Sequence, residues 1–193
     1  FKFNKYQGEI NKENGEGYRG SVFPAFNFMV IKGLEKYQRY DLARECSIRH
    51  LYYILEGLSP NDTKINGDMF EAYLPTKEGK ANLRGKPNFP RVRYLQAAGL
   101  STIALMIENV IGLIISLPRK TVDWIIPNLE IMGIENLSLK RDLITILSNK
   151  KQRGWEIQME SEKHYDFTIN ILDEKKKTLP IPSGKCSMLI DKL

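Results

Sequence analysis

The chain of 193 residues has little of the material from which metal centres and histidine-based catalytic triads are built. It contains two histidines, His50 and His164, and two cysteines, Cys46 and Cys186, which lie far apart and form no CxxC pair. Zinc sites need several closely spaced cysteine or histidine ligands, and disulfide-stabilised folds need many cysteines. The sequence therefore argues against a zinc site, a disulfide framework and a histidine-based triad.

Basic residues interleaved with stacking aromatics are also lacking, although the formal net charge is +6 and the pI is about 9.2. The densest basic runs, residues 150–153 and 175–177, lie where turns between strands are predicted. Charge runs of this kind usually form solvated surface. Because nucleic-acid binding needs a contiguous positive face, we predict no nucleic-acid partner.

The longest apolar stretch, residues 94–117, carries one formal charge, Glu108. Its length would span a bilayer. Polar side chains such as Gln96, Thr102 and Asn109 make insertion costly. A helix buried on most sides in a larger protein is favoured, and we predict no membrane partner.

Helical periodicity marks the first half of the chain. Apolar side chains recur at helical spacing over residues 25–37 and 42–58, and Asp41 is a suitable N-cap for the second helix. His50 falls on the apolar stripe of that helix, so a buried, hydrogen-bonded histidine is predicted. A third helix is predicted over about residues 93–115.

The connection between the second and third helices, residues 59–92, is rich in Gly, Pro, Asn and Lys. Connections of this length are uncommon in compact domains unless they serve a function. We therefore predict that a functional site lies on this segment.

The pattern changes after Pro118. Residues 155–160 and 167–171 alternate apolar and polar side chains with a period of two, which is typical of half-buried strands. Residues 119–193 are predicted to form a small antiparallel β domain that follows a helical domain over residues 1–118, which makes the fold class α+β. Further strands are predicted at residues 143–147 and 185–190, with turns at 149–154, 173–177 and 182–184.

Several motifs in the first half of the chain match segments of known proteins. Residues 18–28, Tyr-Arg-Gly-Ser-Val-Phe-Pro-Ala-Phe-Asn-Phe, resemble the Trp-Arg-Gly-Pro-Val-Trp…Asn-Tyr segment of processing α-glucosidases of the mannosyl-oligosaccharide glucosidase type. Residues 70–75, Phe-Glu-Ala-Tyr-Leu-Pro, resemble Tyr-Glu-x-Tyr-x-Pro of that family, where trehalases have Glu-Lys-Tyr-Asp. Residues 33–37 and 88–108 extend the similarity, which covers about residues 17–115.

This resemblance implies the last helices of an (α/α)6 toroid, followed by the β domain. It implies an inverting glycoside hydrolase acting on α-glucosides or related oligosaccharides, in which Glu71 is the general base. Inverting hydrolysis uses two carboxyl groups about 6.5–9.5 Å apart. The family's general acid comes from an earlier barrel segment, so we expect that segment as a missing partner and expect the chain alone to be inactive. No cofactor is implied.

The resemblance also implies sugar-binding residues. Arg19 would donate hydrogen bonds to sugar hydroxyls, and the rings of Tyr18, Phe23 and Tyr73 would stack on sugar faces. Asp68 is the alternative carboxylate. From the residues alone, a surface position suits Arg19 equally well, and core packing suits Phe23 at least as well. The residues alone favour a turn-forming role for Asp68 and a solvated loop position for Glu71.

The chain departs from the family at several aromatic positions. Tyr18 and Phe23 stand where the family has Trp, and Phe89-Pro90-Arg91 stands where it has Phe-(Ser/Gly)-Trp. These departures support an alternative, a non-catalytic carbohydrate-binding or structural protein on a degenerate toroid. The third helix is apolar nearly all round, so we expect a homo-oligomer through exposed barrel helices. The compartment is left open, with a periplasmic or secreted location favoured over a cytoplasmic one.

Overall fold

The protein has an α+β architecture in which helices are followed by a unit rich in antiparallel strands, as predicted. It divides into two compact units, Phe1–Val110 and Ile111–Leu193. No helix within the described part of the chain is long and apolar enough to cross a membrane. The computed structural model describes residues 20–56, 69–75, 79–82, 89–92, 95–126, 131–171, 175–181 and 184–191.

Three helical segments form the first part of the fold. Helix α1 (Pro24–Lys36) starts with proline, whose missing N–H costs nothing at the first helical position. Helix α2 (Tyr40–Glu56) begins one residue before Asp41, which lies in its first turn rather than at the predicted N-cap. A third segment, called helix 3, runs from residue 95 to 111 and has π-helical ends around an α-helical centre, Leu100–Leu105.

The three helical segments pack around a small apolar core. Ile31 of α1, Ala43 of α2 and Leu105 of helix 3 are each at most 1% exposed. Phe28 and Leu34 of α1 pack against this cluster. Each helix therefore contributes one apolar stripe to a shared core, which is the pattern that helical periodicity in the sequence predicts.

His50 joins the same three helical segments through hydrogen bonds, and the prediction of a buried histidine is confirmed. Its side chain is 5% exposed. The Thr102 hydroxyl donates to the Ala98 carbonyl at 2.6 Å, so its oxygen accepts from Nε2 of His50 at 3.2 Å. Nδ1 of His50 then accepts from the Asn27 amide at 3.2 Å. This arrangement fits the neutral imidazole, with its proton on Nε2.

Burial lowers the pKa of His50 from 6.5 to about 4. The folded protein therefore binds this proton less readily than the unfolded chain does. We expect the His50 contribution to stability to be intact above pH 6.5 and to decrease as the pH falls from 6.5 to about 4. Integrated over that window, the loss in the free energy of unfolding amounts to about 3 kcal/mol.

Urea unfolding at several pH values tests this expectation. Replacing His50 by glutamine removes the titrating group, so the variant should lose less stability than the wild type between neutral pH and pH 4. The matched control is His164→Gln, since the His164 side chain is 57% exposed. Equal pH dependence of His50→Gln and the wild type would contradict the assignment.

Charged side chains join α1 to the C-terminal end of helix 3. The Lys32 ammonium lies 2.9 Å from the Glu35 carboxylate and 2.5 Å from that of Glu108. The Asn109 amide donates to Glu35 at 2.6 Å and accepts from Lys32 at 3.2 Å. These side chains satisfy one another's charges and hydrogen-bonding groups, so the cluster holds the two helical segments together.

Gly112 ends helix 3, which stops at Ile111 rather than at the predicted residue 115. Gly112 has a φ of +86°, a conformation that side chains with a Cβ rarely adopt. The chain continues as strand β1 (Leu113–Ser116), which pairs antiparallel with β2 (Thr121–Ile126). The apolar run after Gly112 therefore belongs to a sheet and not to the helix.

Two four-stranded sheets make up the second unit. Burial alternates along two strands of each sheet, so each sheet has one buried, largely apolar face. The strands after β2 are β3 (Ile131–Leu139), β4 (Asp142–Lys151), β5 (Gly154–Ser161), β6 (Tyr165–Ile171), β7 (Lys175–Ile181) and β8 (Gly184–Asp191). The first sheet has the order β1-β2-β6-β7 and the second β3-β4-β5-β8.

Large side chains fill the interior of the β unit. Trp124, Trp155, Phe167, Ile157 and Ile169 are among those that are 0% exposed. The Trp124 indole N–H donates to the Ile111 carbonyl at 2.9 Å, a hydrogen bond within this unit.

Two features of the β unit differ from the sequence-based expectation. Strands β2 and β6 pair in parallel, so the unit is not wholly antiparallel. Residues 175–177 begin strand β7 instead of forming a turn, and pair with residues 169–171 of β6. A lysine run is compatible with a strand because β7 lies at the edge of its sheet, where charged residues are common.

Candidate functional site

The segment that carries Glu71 is held by backbone pairing to the residues that precede α1 and to the loop before helix 3. Val22 and Tyr73 exchange two backbone hydrogen bonds, of 2.9 and 2.8 Å. The Glu71 N–H donates to the Arg91 carbonyl at 3.0 Å. The two motifs that the sequence singled out, before α1 and around Glu71, therefore meet at Val22 and Tyr73.

A third short segment supports the other side of the same loop. The Ala81 N–H donates to the Ala72 carbonyl at 3.1 Å, and the Leu74 N–H donates to the Gly79 carbonyl at 3.0 Å. Backbone groups on both sides of Glu71 are thus fixed, which limits the movement of its side chain.

Aromatic rings and small residues form a core beneath this loop. Phe23, Ala72 and Ala81 are 7%, 0% and 2% exposed, and Phe89 packs against them. The ring centroids of Phe23 and Phe89 are 6.2 Å apart. The small side chains of Ala72 and Ala81 allow the two backbone segments to lie close to the Phe23 ring.

Tyr73 anchors the loop to helix α2. Its side chain is 1% exposed, and its ring lies edge-on to Tyr53 at a centroid distance of 6.0 Å. The Tyr73 hydroxyl accepts from the Phe70 N–H at 3.1 Å, and the Tyr53 hydroxyl donates to the Leu74 carbonyl. Burial raises the pKa of Tyr73, so this side chain stays a neutral phenol near neutral pH.

Glu71 forms a bidentate ion pair with Arg91. Arg91 Nη2 lies 2.8 Å from Oε1 of Glu71, and Arg91 Nε lies 3.0 Å from Oε2. The backbone N–H of Arg91 also donates to Oε2, at 3.3 Å. The hydrogen bonds from the Arg91 side chain lower the pKa of Glu71 and outweigh the opposing effect of partial burial. The carboxylate is therefore ionised near neutral pH.

The structure accounts for only some of the residues predicted from the sequence to bind sugar. Tyr18, Arg19 and Asp68 lie outside the described residues. Phe23 and Tyr73 were predicted to stack on sugar faces, but both rings are buried and pack within the protein. Phe23 packs against Ala72, Ala81 and Phe89, and the Tyr73 ring lies edge-on to Phe70 and to Tyr53 of α2.

Arg91 is the residue of this cluster that the sequence motifs do not assign to the site. In the motif resemblance this position corresponds to Trp, so the resemblance predicts only the loss of an aromatic ring. A basic residue close to a candidate catalytic carboxylate in the same long connection is the signal that points to a charge pair. Pairing of the two side chains depends on the Glu71 N–H to Arg91 carbonyl hydrogen bond, which the sequence does not reveal.

A fixed, ionised carboxylate can act as a general base or can accept hydrogen bonds from sugar hydroxyls. The Glu71 side chain is 16% exposed, so part of it is accessible to solvent. Among the residues that the structure describes, no group of three or more His, Cys, Asp or Glu side chains is placed to hold a metal ion.

Comparison with known proteins identifies the second unit. Residues 112–193 match the family model described as "Trehalase, C-terminal domain". The match begins at Gly112, next to the junction of the two compact units, and extends over the strands of the second. Residues 112–193 therefore form a trehalase-like C-terminal region.

An uncharacterized protein of Borreliella burgdorferi is 59% identical over 182 residues. The aligned region covers 94% of this chain and 38% of that protein, so the chain spans little more than a third of the length of this curated relative. No solved structure matches the chain significantly.

Proposed function

We propose that the protein carrying this chain is an inverting glycoside hydrolase that acts on α-glucosides or related oligosaccharides, with Glu71 as its general base. The observation that carries the class is the trehalase-like region at residues 112–193. The resemblance of residues 17–115 to toroid glycosidases supports the reaction type. Under this proposal, the helical segments are the last helices of an (α/α)6 toroid.

Glu71 is suited to the base role by its charge and its fixed position. In an inverting reaction the base removes a proton from a water molecule while the water attacks the anomeric carbon. The general acid protonates the departing glycosidic oxygen in the same step. A base must be ionised at the start of this step, and the Arg91 ion pair keeps Glu71 in that state.

The other groups that the reaction needs belong to the same proposal. Arg19, Tyr18 and Asp68 are proposed to contact the sugar, while Phe23 and Tyr73 support the loop beneath it. The general acid is proposed to come from a barrel segment outside residues 1–193. The chain spans 38% of the length of the Borreliella burgdorferi relative, which leaves room for such a segment in that protein.

Exposed apolar side chains on the helices support a need for further helical partners. Large apolar side chains that are about half exposed or more occur on all three helical segments. Large exposed apolar patches usually mark an interface. We propose that other parts of the same toroid cover it, and that the 193-residue chain alone pairs with a second copy. The side chains are Phe26, Met29, Val30, Tyr52, Leu55, Leu100 and Ile103.

Turnover by the intact protein tests the proposed function. Aryl α-glucosides and α-linked disaccharides are incubated with it, and the anomer released first is identified by NMR. An inverting enzyme releases β-glucose first from an α-glucoside. Release of α-glucose first would contradict the mechanism, and absence of turnover on all these substrates would contradict the function.

The second candidate is a carbohydrate-binding protein without turnover, and one specific observation favours it. Arg91 occupies the place of a family Trp and holds both carboxylate oxygens of Glu71. A carboxylate used only for binding sugar hydroxyls would tolerate such a partner. Binding of α-glucosides to the intact protein by calorimetry, without any release of product, would favour this candidate.

A further inference from the structure

We propose that Arg91 is the positioning residue for Glu71: it fixes the plane of the carboxylate and leaves Oε1 as the oxygen that receives the reacting water. This inference deepens the proposed function and rests on it. It assigns to Arg91 a task within the same site, acting through Glu71 and not on the sugar itself.

The orientation follows from the geometry of the ion pair. Two guanidinium nitrogens, Nε and Nη2, contact the two carboxylate oxygens at 3.0 and 2.8 Å. Bidentate pairing of this kind fixes the carboxylate plane as well as its distance, because the donors of arginine form a rigid fork. A lysine at this position would fix the distance alone.

The hydrogen bonds also distinguish the two oxygens of Glu71. Oε2 accepts from both Nε and the backbone N–H of Arg91, whereas Oε1 accepts from Nη2 alone among the described residues. A carboxylate oxygen has two lone-pair sites. Oε2 is thus filled, and Oε1 keeps the capacity to accept one more hydrogen bond, from a water or a hydroxyl.

The backbone around the pair holds both partners in place. The Glu71 N–H donates to the Arg91 carbonyl at 3.0 Å, and an isolated bridge joins Phe70 to Val92. The residues on either side of the ion pair are thus paired as short antiparallel segments. Arg91 therefore remains next to Glu71 even though 59% of its side chain is exposed.

Kinetics of Arg91→Met and Arg91→Lys in the intact protein test this role. Removing the fork misplaces the base, and a misplacement of about 1 Å costs on the order of 10²-fold in rate. We expect this loss of kcat in Arg91→Met. We also expect the acidic limb of its kcat/KM profile to move to higher pH, because Arg91 lowers the pKa of Glu71. In Arg91→Lys the acidic limb should lie closer to its wild-type pH than in Arg91→Met, but kcat should recover less.

The matched control is Arg49→Met, which removes an arginine from an exposed ion pair with Glu45 on α2. It should leave the rate and the pH profile unchanged. An unmoved acidic limb in Arg91→Met would overturn the proposal, even if the variant were less stable, because a purely structural role does not require a shift in Glu71 titration.

A second readout separates this inference from the proposed function. The Glu71 carboxyl carbon is followed by NMR titration in the wild type and in Arg91→Met. If the wild type shows no turnover, the proposed function fails, and the titration decides the role of Arg91. A higher pKa of Glu71 in Arg91→Met would support the proposal that Arg91 positions an ionised carboxylate, which would then bind a sugar hydroxyl. An unchanged pKa would overturn it.

Discussion

Replacing Gly112 by alanine is expected to lower the free energy of unfolding of the β unit by about 3 kcal/mol or more. Two costs add. Gly112 has a φ of +86°, and forcing a residue with a Cβ into such a backbone conformation costs roughly 1–3 kcal/mol. A Cβ at this position would also lie 2.1 Å from the carbonyl oxygen of Ile125, and overpacking of this kind typically costs about 1–3 kcal/mol.

The clash at Gly112 cannot be relieved by rotating a side chain, since the opposing atom belongs to the backbone. Strand β2 would have to move away from residue 112. That movement would weaken the hydrogen bond from the Ile125 N–H to the Gly112 carbonyl, now 2.9 Å, and the one from Trp124 to the Ile111 carbonyl. The whole first sheet is thus sensitive to this one glycine.

Tryptophan fluorescence during urea unfolding measures this effect selectively. The chain has two tryptophans, Trp124 and Trp155, and both are fully buried in the β unit. Gly184→Ala is the matched control: Gly184 has a φ of +109°, but a Cβ there would have no atom of the described residues within 4 Å. Gly112→Ala should be clearly less stable than Gly184→Ala. Equal losses in the two variants would show that the contact with Ile125 does not matter.

The helices of this protein could be predicted from its sequence because their signal is local. Periodic apolar residues and Pro24 placed α1 and α2 within about two residues of their observed bounds. The predicted end of the third helix was wrong, because the apolar residues after Gly112 suit a strand as well as a helix. Only pairing with residues 121–124, which is a tertiary contact, decides between the two.

Prediction of the strands from the sequence has the same limit. Alternating residues predicted β5 and β6, whose burial alternates as expected. Alternation does not tell which strand lies beside which, or in which direction, so the parallel pairing of β2 with β6 was not predicted. Strand β7 was missed because Lys175, Lys176 and Lys177 lack an apolar alternation, and its place at a sheet edge makes that alternation unnecessary.

The candidate site was predicted in part for the same reason. Glu71 and the long connection that carries it were identified from sequence motifs. The partner of Glu71 was not, because residues 71 and 91 are brought together only by backbone pairing between two loops. Phe23 and Tyr73 were assigned to sugar stacking by the same resemblance, and the sequence does not reveal that both rings are buried.

The change Glu71→Gln in the intact protein is expected to lower kcat by about 10²–10⁴-fold, the usual contribution of a general base. Glutamine keeps the size of the side chain but cannot accept a proton from water. Its amide nitrogen is also a donor that faces the donors of Arg91, so only one of the two bidentate contacts can persist. Substrate binding should change less than kcat, because the base acts mainly in the transition state.

Two matched variants are needed to interpret the loss of kcat in Glu71→Gln. Asp68→Asn removes the alternative carboxylate, which lies three positions before Glu71 in the sequence. Glu45→Gln removes a carboxylate from an exposed pair with Arg49, away from the site. If Glu71 is the base, Glu71→Gln should lose far more kcat than Asp68→Asn, and Glu45→Gln should resemble the wild type. A larger loss in Asp68→Asn than in Glu71→Gln would transfer the base role to Asp68. An amide at position 71 also disturbs Arg91, so circular dichroism and urea unfolding of the variant should accompany the kinetics. If kcat falls while the fold and its stability are retained, the missing proton acceptor is the cause of the loss.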